Sequence, residues 1–141
     1  MVEPYIRWHS RQLTVRETLD RIDHSDIYFS DHGIWPTDKM SKLIESIVCD
    51  FPLPPIYVRQ DIRGDWEIID GAKRLKSLVC FVNGGFPLEG LTILPELNSL
   101  WKGDLPNSWK TSLSRKHLQF HILDPMTSKD VPELVIQHLK G

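Results

Sequence analysis

The chain has 141 residues, 40% hydrophobic and 26% charged, enough for one domain with a real core and no need of a second. Seventeen Lys and Arg against nineteen Asp and Glu give a formal charge of -2, so a grip on nucleic acid must come from a local patch; direct DNA binding is not favoured by bulk charge. The opening "MVEPYIRWHSRQ" lacks the apolar stretch of a signal peptide, and no run approaches the roughly 18 apolar residues of a membrane span, so a cytoplasmic protein without a membrane partner is expected.

In chain order, "TVRETLDRID" places Glu17 three residues after Thr14, the reciprocal pairing of a capping box, and predicts a helix from Thr14 to near Asp23. "DIYF" reads as a short strand, and "SDHGIWPT" as turn chemistry before a helix announced by Pro36 and Thr37. Met40, Leu43, Ile44, Ile47 and Val48 then form one apolar helical stripe within residues 37–50. The prolines of "FPLPP" stop that helix, and "IYVRQ" and "WEIID" flank the turn "DIRGD" as an antiparallel hairpin.

The Asp70-Gly71 pair is itself a hairpin signal, but Leu75, Leu78, Val79 and Val82 are spaced helically after it. Further on, "LTIL" reads as a strand, "PNSWKTSLS" as a short helix, and "HLQFHIL" as a strand with Leu118, Phe120 and Ile122 on one face. "SKDVPELVIQHLK" reads as a closing helix with Pro132 in its first turn. The order is α+β, a small mixed or antiparallel sheet flanked by helices. Cys49 and Cys80 fall among apolar helical residues and are expected as buried thiols, not a disulfide.

A strand ending at Asp70 and a helix beginning at Gly71 would leave amides without intrahelical partners at the positive end of the dipole, which attracts anions. Gly71 would let a ligand approach the backbone, Lys73 and Arg74 would add charge and donors, and Asp70 could cap the helix or orient a ribose or metal. Lys73, Arg74 and Lys76 oppose the local helix field, a conflict that an anionic ligand would relieve.

The block "KLIESIVCDFPLPPIYVRQD...WEIIDGAKRLKSL" resembles the N-terminal domain of the GmrSD type IV restriction endonuclease family, of the ParB and sulfiredoxin-like superfamily. "RQLTVRETLDRID", "FVNGGFPLEGLTILPELNSLWKGDLP" and "DVPELVIQHLKG" resemble the family's flanking regions, so the likeness covers most of the chain. The resemblance implies a single ParB-like domain over residues 1–141 whose Gly-x-x-Arg turn binds nucleotide, a magnesium ion accompanying a nucleoside triphosphate. It also implies restriction, phage or mobile-element biology, without the nuclease domain that follows in the family.

The chain departs from the family pattern where a Phe-Gln-Arg segment is expected: Phe29, Ser30 and Asp31 precede Trp35, and Ala72 and Lys73 replace the motif glutamines. A carboxylate thus stands for a phosphate-facing cation, which puts hydrolysis in doubt and raises a pairing of Asp31 with Lys73 as compensation. Asp31, His32 and Trp35 complete the candidate pocket around Asp70, Gly71, Lys73 and Arg74. Ala72 stands where a sulfiredoxin-like reaction needs a cysteine, and 141 residues leave no room for an added helix-turn-helix.

His117 and His121 on one strand would stand roughly 13 Å apart, too far to share a metal, and no metal site is expected. Of the five tryptophans at least three are expected in the core, and an exposed one is a candidate anchor for a protein partner. Two readings follow: a domain binding a nucleotide or another phosphate-bearing ligand at residues 70–74, or a non-enzymatic protein-binding module that inhibits or decoys a host or defence complex.

Overall fold

Thr14 closes the first strand and opens the first helix. Its hydroxyl accepts the Glu17 N–H at 3.0 Å while the Glu17 carboxylate accepts the Thr14 N–H at 3.1 Å. The computed structural model describes residues 7–30, 32–124 and 137. Its elements run β1 (Trp8–Thr14), α1 (Val15–Asp23), β2 (Ile27–Phe29), α2 (Thr37–Val48), β3 (Ile56–Gln60), β4 (Trp66–Asp70), α3 (Ala72–Val82), α4 (Asn107–Arg115) and β5 (His117–Leu123). The fold is a mixed α+β domain around one five-stranded sheet ordered β1-β5-β3-β4-β2. β1 and β5 pair antiparallel, as do β3 and β4, while β5 with β3 and β4 with β2 run parallel.

One sheet face carries Leu13, Ile27, Val58, Trp66, Ile68, Leu118, Phe120 and Ile122, all buried in a single core with the apolar stripes of the helices. The helical spacings of α2 and α3 fill that core as predicted: Leu43, Ile44 and Ile47 from one, Leu75, Leu78 and Phe81 from the other. The described helices therefore cover one face of the sheet. Trp66 is buried, Trp35 and Trp109 pack against the core, and Trp8 and Trp101 are 55% and 45% exposed. Cys49 and Cys80 are free and half-buried.

Two elements correct the sequence reading. β1 is not announced by the sequence, because residues 8–12 are exposed and show no alternation; pairing with β5 along its whole length makes it a strand. The stretch "LTIL" is not a strand. Its backbone is satisfied by side chains instead: Asn98 Oδ1 accepts the Leu91 N–H at 2.9 Å, and the buried Glu45 carboxylate accepts those of Ile93 and Leu94 at 3.0 and 2.8 Å. Ser41, one turn earlier on α2, accepts the Glu89 N–H at 3.1 Å, so two buried polar residues of one helix dock this irregular segment. The predicted closing helix at 128–140 lies outside the described residues except for Gln137, which is helical.

Candidate functional site

The β3–β4 register slips between Tyr57 and Val58: Val58 faces Ile68 while Tyr57 faces Asp70, which makes Ile69 an extra residue on β4. Such a bulge re-aims the side chains beyond it, and here it turns Asp70 to the side of Tyr57. Gly71 follows at φ 103°, in the left-handed region, and starts α3 without a side-chain cap. A Cβ at this position would lie 3.0 Å from Arg74 Nη2 and 3.1 Å from Ile56 Cγ1, so the glycine is demanded twice, by backbone and by space.

Arg74, one helical turn on, folds back over the proline segment. Its guanidinium donates to the Pro54 carbonyl and, at 3.2 Å, to that of Pro55, and stands 3.7 Å from Asp70 Oδ2. Burial pushes the guanidinium below its ordinary pKa while the Asp70 charge draws it back up, and it stays charged at any physiological pH. Prolines cannot donate, but their carbonyls accept, and here two successive ones take bonds from the Arg74 guanidinium.

Asp70 and Arg74 line a recess of about 630 Å³. Its other walls are Trp35, the α2 residues Lys39, Lys42 and Ser46, the strap Leu53, Pro54 and Pro55, and Tyr57. Lys39 Nζ sits 4.5 Å from the centre of the Trp35 ring. Behind the strap is a smaller hollow of about 190 Å³ with Gln12, Gln119 and His117 in its lining, and Arg74 borders both.

Of the residues predicted from sequence, Asp70, Arg74 and Trp35 are thus brought together. Gly71 is packed beneath them against Ile56, Lys73 is exposed outside the recess lining, and His32 is exposed and does not line it either. Asp31, with its expected pairing to Lys73, lies outside the described residues. Lys76 turns elsewhere: its ammonium donates to the Gly33 carbonyl at 3.1 Å and lies 5.5 Å from the Phe29 ring centre.

Sequence reasoning missed Lys39, Lys42 and Tyr57. The lysines stand at i and i+3 with Ser46 at i+7, the polar stripe opposite the one that located α2, and reading both stripes would have found them. Tyr57 gave no such signal, and its pairing opposite Asp70 comes from the bulge. His117 and His121 both lie on β5, and no group of three His, Cys, Asp or Glu that could hold a metal occurs among the described residues.

Chemically, the recess combines three cations, two aromatic rings and one carboxylate at the end of a sheet. Comparison with curated proteins yields no match. A family model described as the GmrSD restriction endonuclease, N-terminal domain, matches residues 32–136, which takes in α2, the proline strap, the bulge and the Asp70-to-Arg74 turn. With well over half its length matched, the chain belongs to the family of GmrSD restriction endonuclease N-terminal domains, and so to a restriction-related, DNA-linked defence setting.

Proposed function

We propose that this domain binds a nucleotide, or another ligand carrying phosphate, in the recess between α2 and the Asp70-to-Arg74 turn, in the manner of a ParB-like module. The observation that carries this reading is the convergence of Arg74, Lys39 and Lys42 from two different elements on one open recess beside Trp35 and Tyr57. Two exposed lysines and a guanidinium suit the oxygens of a di- or triphosphate, and the rings suit a base or sugar face. Arg74 uses part of its five donors on the proline carbonyls and Asp70, and what remains is oriented by those bonds.

Asp70 is the carboxylate of the described lining, and a magnesium ion arriving with a triphosphate would meet it there. The ion would neutralise phosphate charge and loosen the hold of Asp70 on Arg74. Hydrolysis is not part of the proposal, since phosphoryl transfer rests on positioning and charge neutralisation and the motif glutamines are Ala72 and Lys73 here.

Thermal-shift titration with nucleoside triphosphates, with and without magnesium, tests the reading. Ligand at 100 times its dissociation constant adds about 2.7 kcal/mol, which raises the midpoint by roughly 2–8 °C for a domain near this size. The exposed pair Lys39→Ala and Lys42→Ala should fold normally and lose most of that shift. An equal shift in that double variant, or none with any triphosphate in the parent, overturns the proposal.

A further inference from the structure

The two edges of the sheet are unlike. β2 closes one edge with three residues, and so short an edge strand offers a second chain little to pair with. β1 forms the other with seven residues in unbroken register with β5, free of proline, glycine and bulge, and residues 8–12 are exposed. Its backbone phase is fixed at both ends: Val15 N–H donates to Lys116 O at 2.8 Å, and Asp124 N–H donates to Arg7 O at 2.8 Å. Bonded residues alternate along an antiparallel pair, so His9, Arg11 and Leu13 bond to β5 while the amides and carbonyls of Trp8, Ser10 and Gln12 turn outward. Among the described residues β1 pairs with β5 alone.

A row of donors and acceptors at the two-residue repeat of a strand is matched by another extended polypeptide. The charge beside it selects the kind. From Arg7 to Arg16 the chain carries Arg7, Arg11 and Arg16 and no Asp or Glu. Arg11 acts on Glu17, but that carboxylate is already engaged by the Thr14 N–H. A second copy fits poorly: antiparallel pairing of residues 8–12 in full overlap sets Arg11 against His9, and a slip of one repeat to either side sets it against Arg7 or Arg11. An acidic strand meets no such conflict, since opposite charges across a strand pair stabilise and like charges destabilise. We propose that the β1 edge docks an extended acidic segment of a partner protein, which joins the five-stranded sheet as one strand more. Its carboxylates lie beside Arg11 and His9, on the side of Phe120 and Ile122, and its alternate side chains meet Trp8, Ser10 and Gln12. Trp8, 55% exposed and backed by His121 at 4.7 Å, offers an apolar face to one of them. This docking is independent of the recess.

Fluorescence anisotropy of a labelled heptapeptide alternating Glu and Val, titrated with the whole chain, is the test. The controls are the same peptide with Lys for Glu, and its fully N-methylated form, which keeps the charge and loses the donors. The parent should bind the Glu peptide and neither control. Ser10→Pro removes an outward N–H and leaves the β5 ladder intact, at the kind of position where an edge strand takes proline; it should fold and bind about tenfold more weakly. Arg11→Ala should weaken binding roughly two- to fivefold, and Arg11→Glu should transfer the preference to the Lys peptide. Absence of binding, equal binding of either control, or undiminished binding in folded Ser10→Pro overturns the inference. So does displacement by a nucleoside triphosphate at constant ionic strength, which puts the peptide in the recess. A parent that sediments as a dimer and becomes a monomer in Ser10→Pro assigns the edge to a second copy and overturns it as well. If Ser10→Pro does not fold, the N-methylated peptide and Arg11→Glu decide.

Discussion

At Thr14 a strand becomes a helix through the chain's own neighbouring side chains, whereas at Gly71 the same handover is held from outside. The first junction is closed by the reciprocal bonds of Thr14 and Glu17, three residues apart. The second has a left-handed glycine and no side-chain cap; it is fixed by Ile56 packed against Gly71 and by Arg74 reaching back some twenty residues to Pro54 and Pro55. A locally closed helix start has nothing left for a ligand. One held by tertiary contacts keeps a cation and a carboxylate at the rim of a recess, which is where the functional reading places the ligand.

The sharpest way to break the comparison is Gly71→Ala, which meets both the φ of 103° and the contacts at 3.0 and 3.1 Å. It should cost about 3 kcal/mol in denaturant unfolding, combining left-handed strain with overpacking. Next comes Arg74→Ala, which leaves two proline carbonyls and Asp70 without their donor. With its side chain 14% exposed and Asp70 36% exposed, a loss of about 2 kcal/mol is expected, and Arg74→Lys should restore little because one ammonium cannot reproduce the fork. Thr14→Ala, at the other junction, should cost about 1 kcal/mol and leave ligand-induced thermal shifts untouched.

The smallest effect is one of pH. Hydrogen bonds from the Thr14 backbone and hydroxyl hold the Glu17 carboxyl below its ordinary pKa. A carboxyl depressed in the folded state adds stability above its unfolded pKa of about 4.3, and loses it as pH falls through the folded value. The acid side of the stability profile should therefore be flatter in Glu17→Gln than in the parent, as measured by urea unfolding across a pH series. A parallel offset with unchanged slope would show that Glu17 takes no part in closing that junction.

Much of the fold was legible because its signals are local. The capping box of Thr14 and Glu17, the stripe Met40 to Val48, the proline stop, and the alternation of Leu118, Phe120 and Ile122 each lie within one element. β1 failed that test, since an exposed strand becomes one only when β5 is beside it. "LTIL" failed for the opposite reason: its β-like composition was outweighed by the carboxylate of Glu45, almost fifty residues earlier. At the site, Asp70, Arg74 and Trp35 were legible from the motif and its surroundings, while Lys73 drew attention by adjacency in sequence that the helix turns into separation in space.

The sequence by itself determined the helices, most strands and the strand-to-helix turn at Gly71, because periodicity, capping and proline act over a few residues. Only the tertiary structure decided that a bulge sets Asp70 beside Tyr57, that Lys73 stays outside the recess lining, and that Trp8 packs against His121 across the sheet. Those placements come from strand register and from packing between elements far apart in the chain, and neither leaves a trace in any short stretch of it.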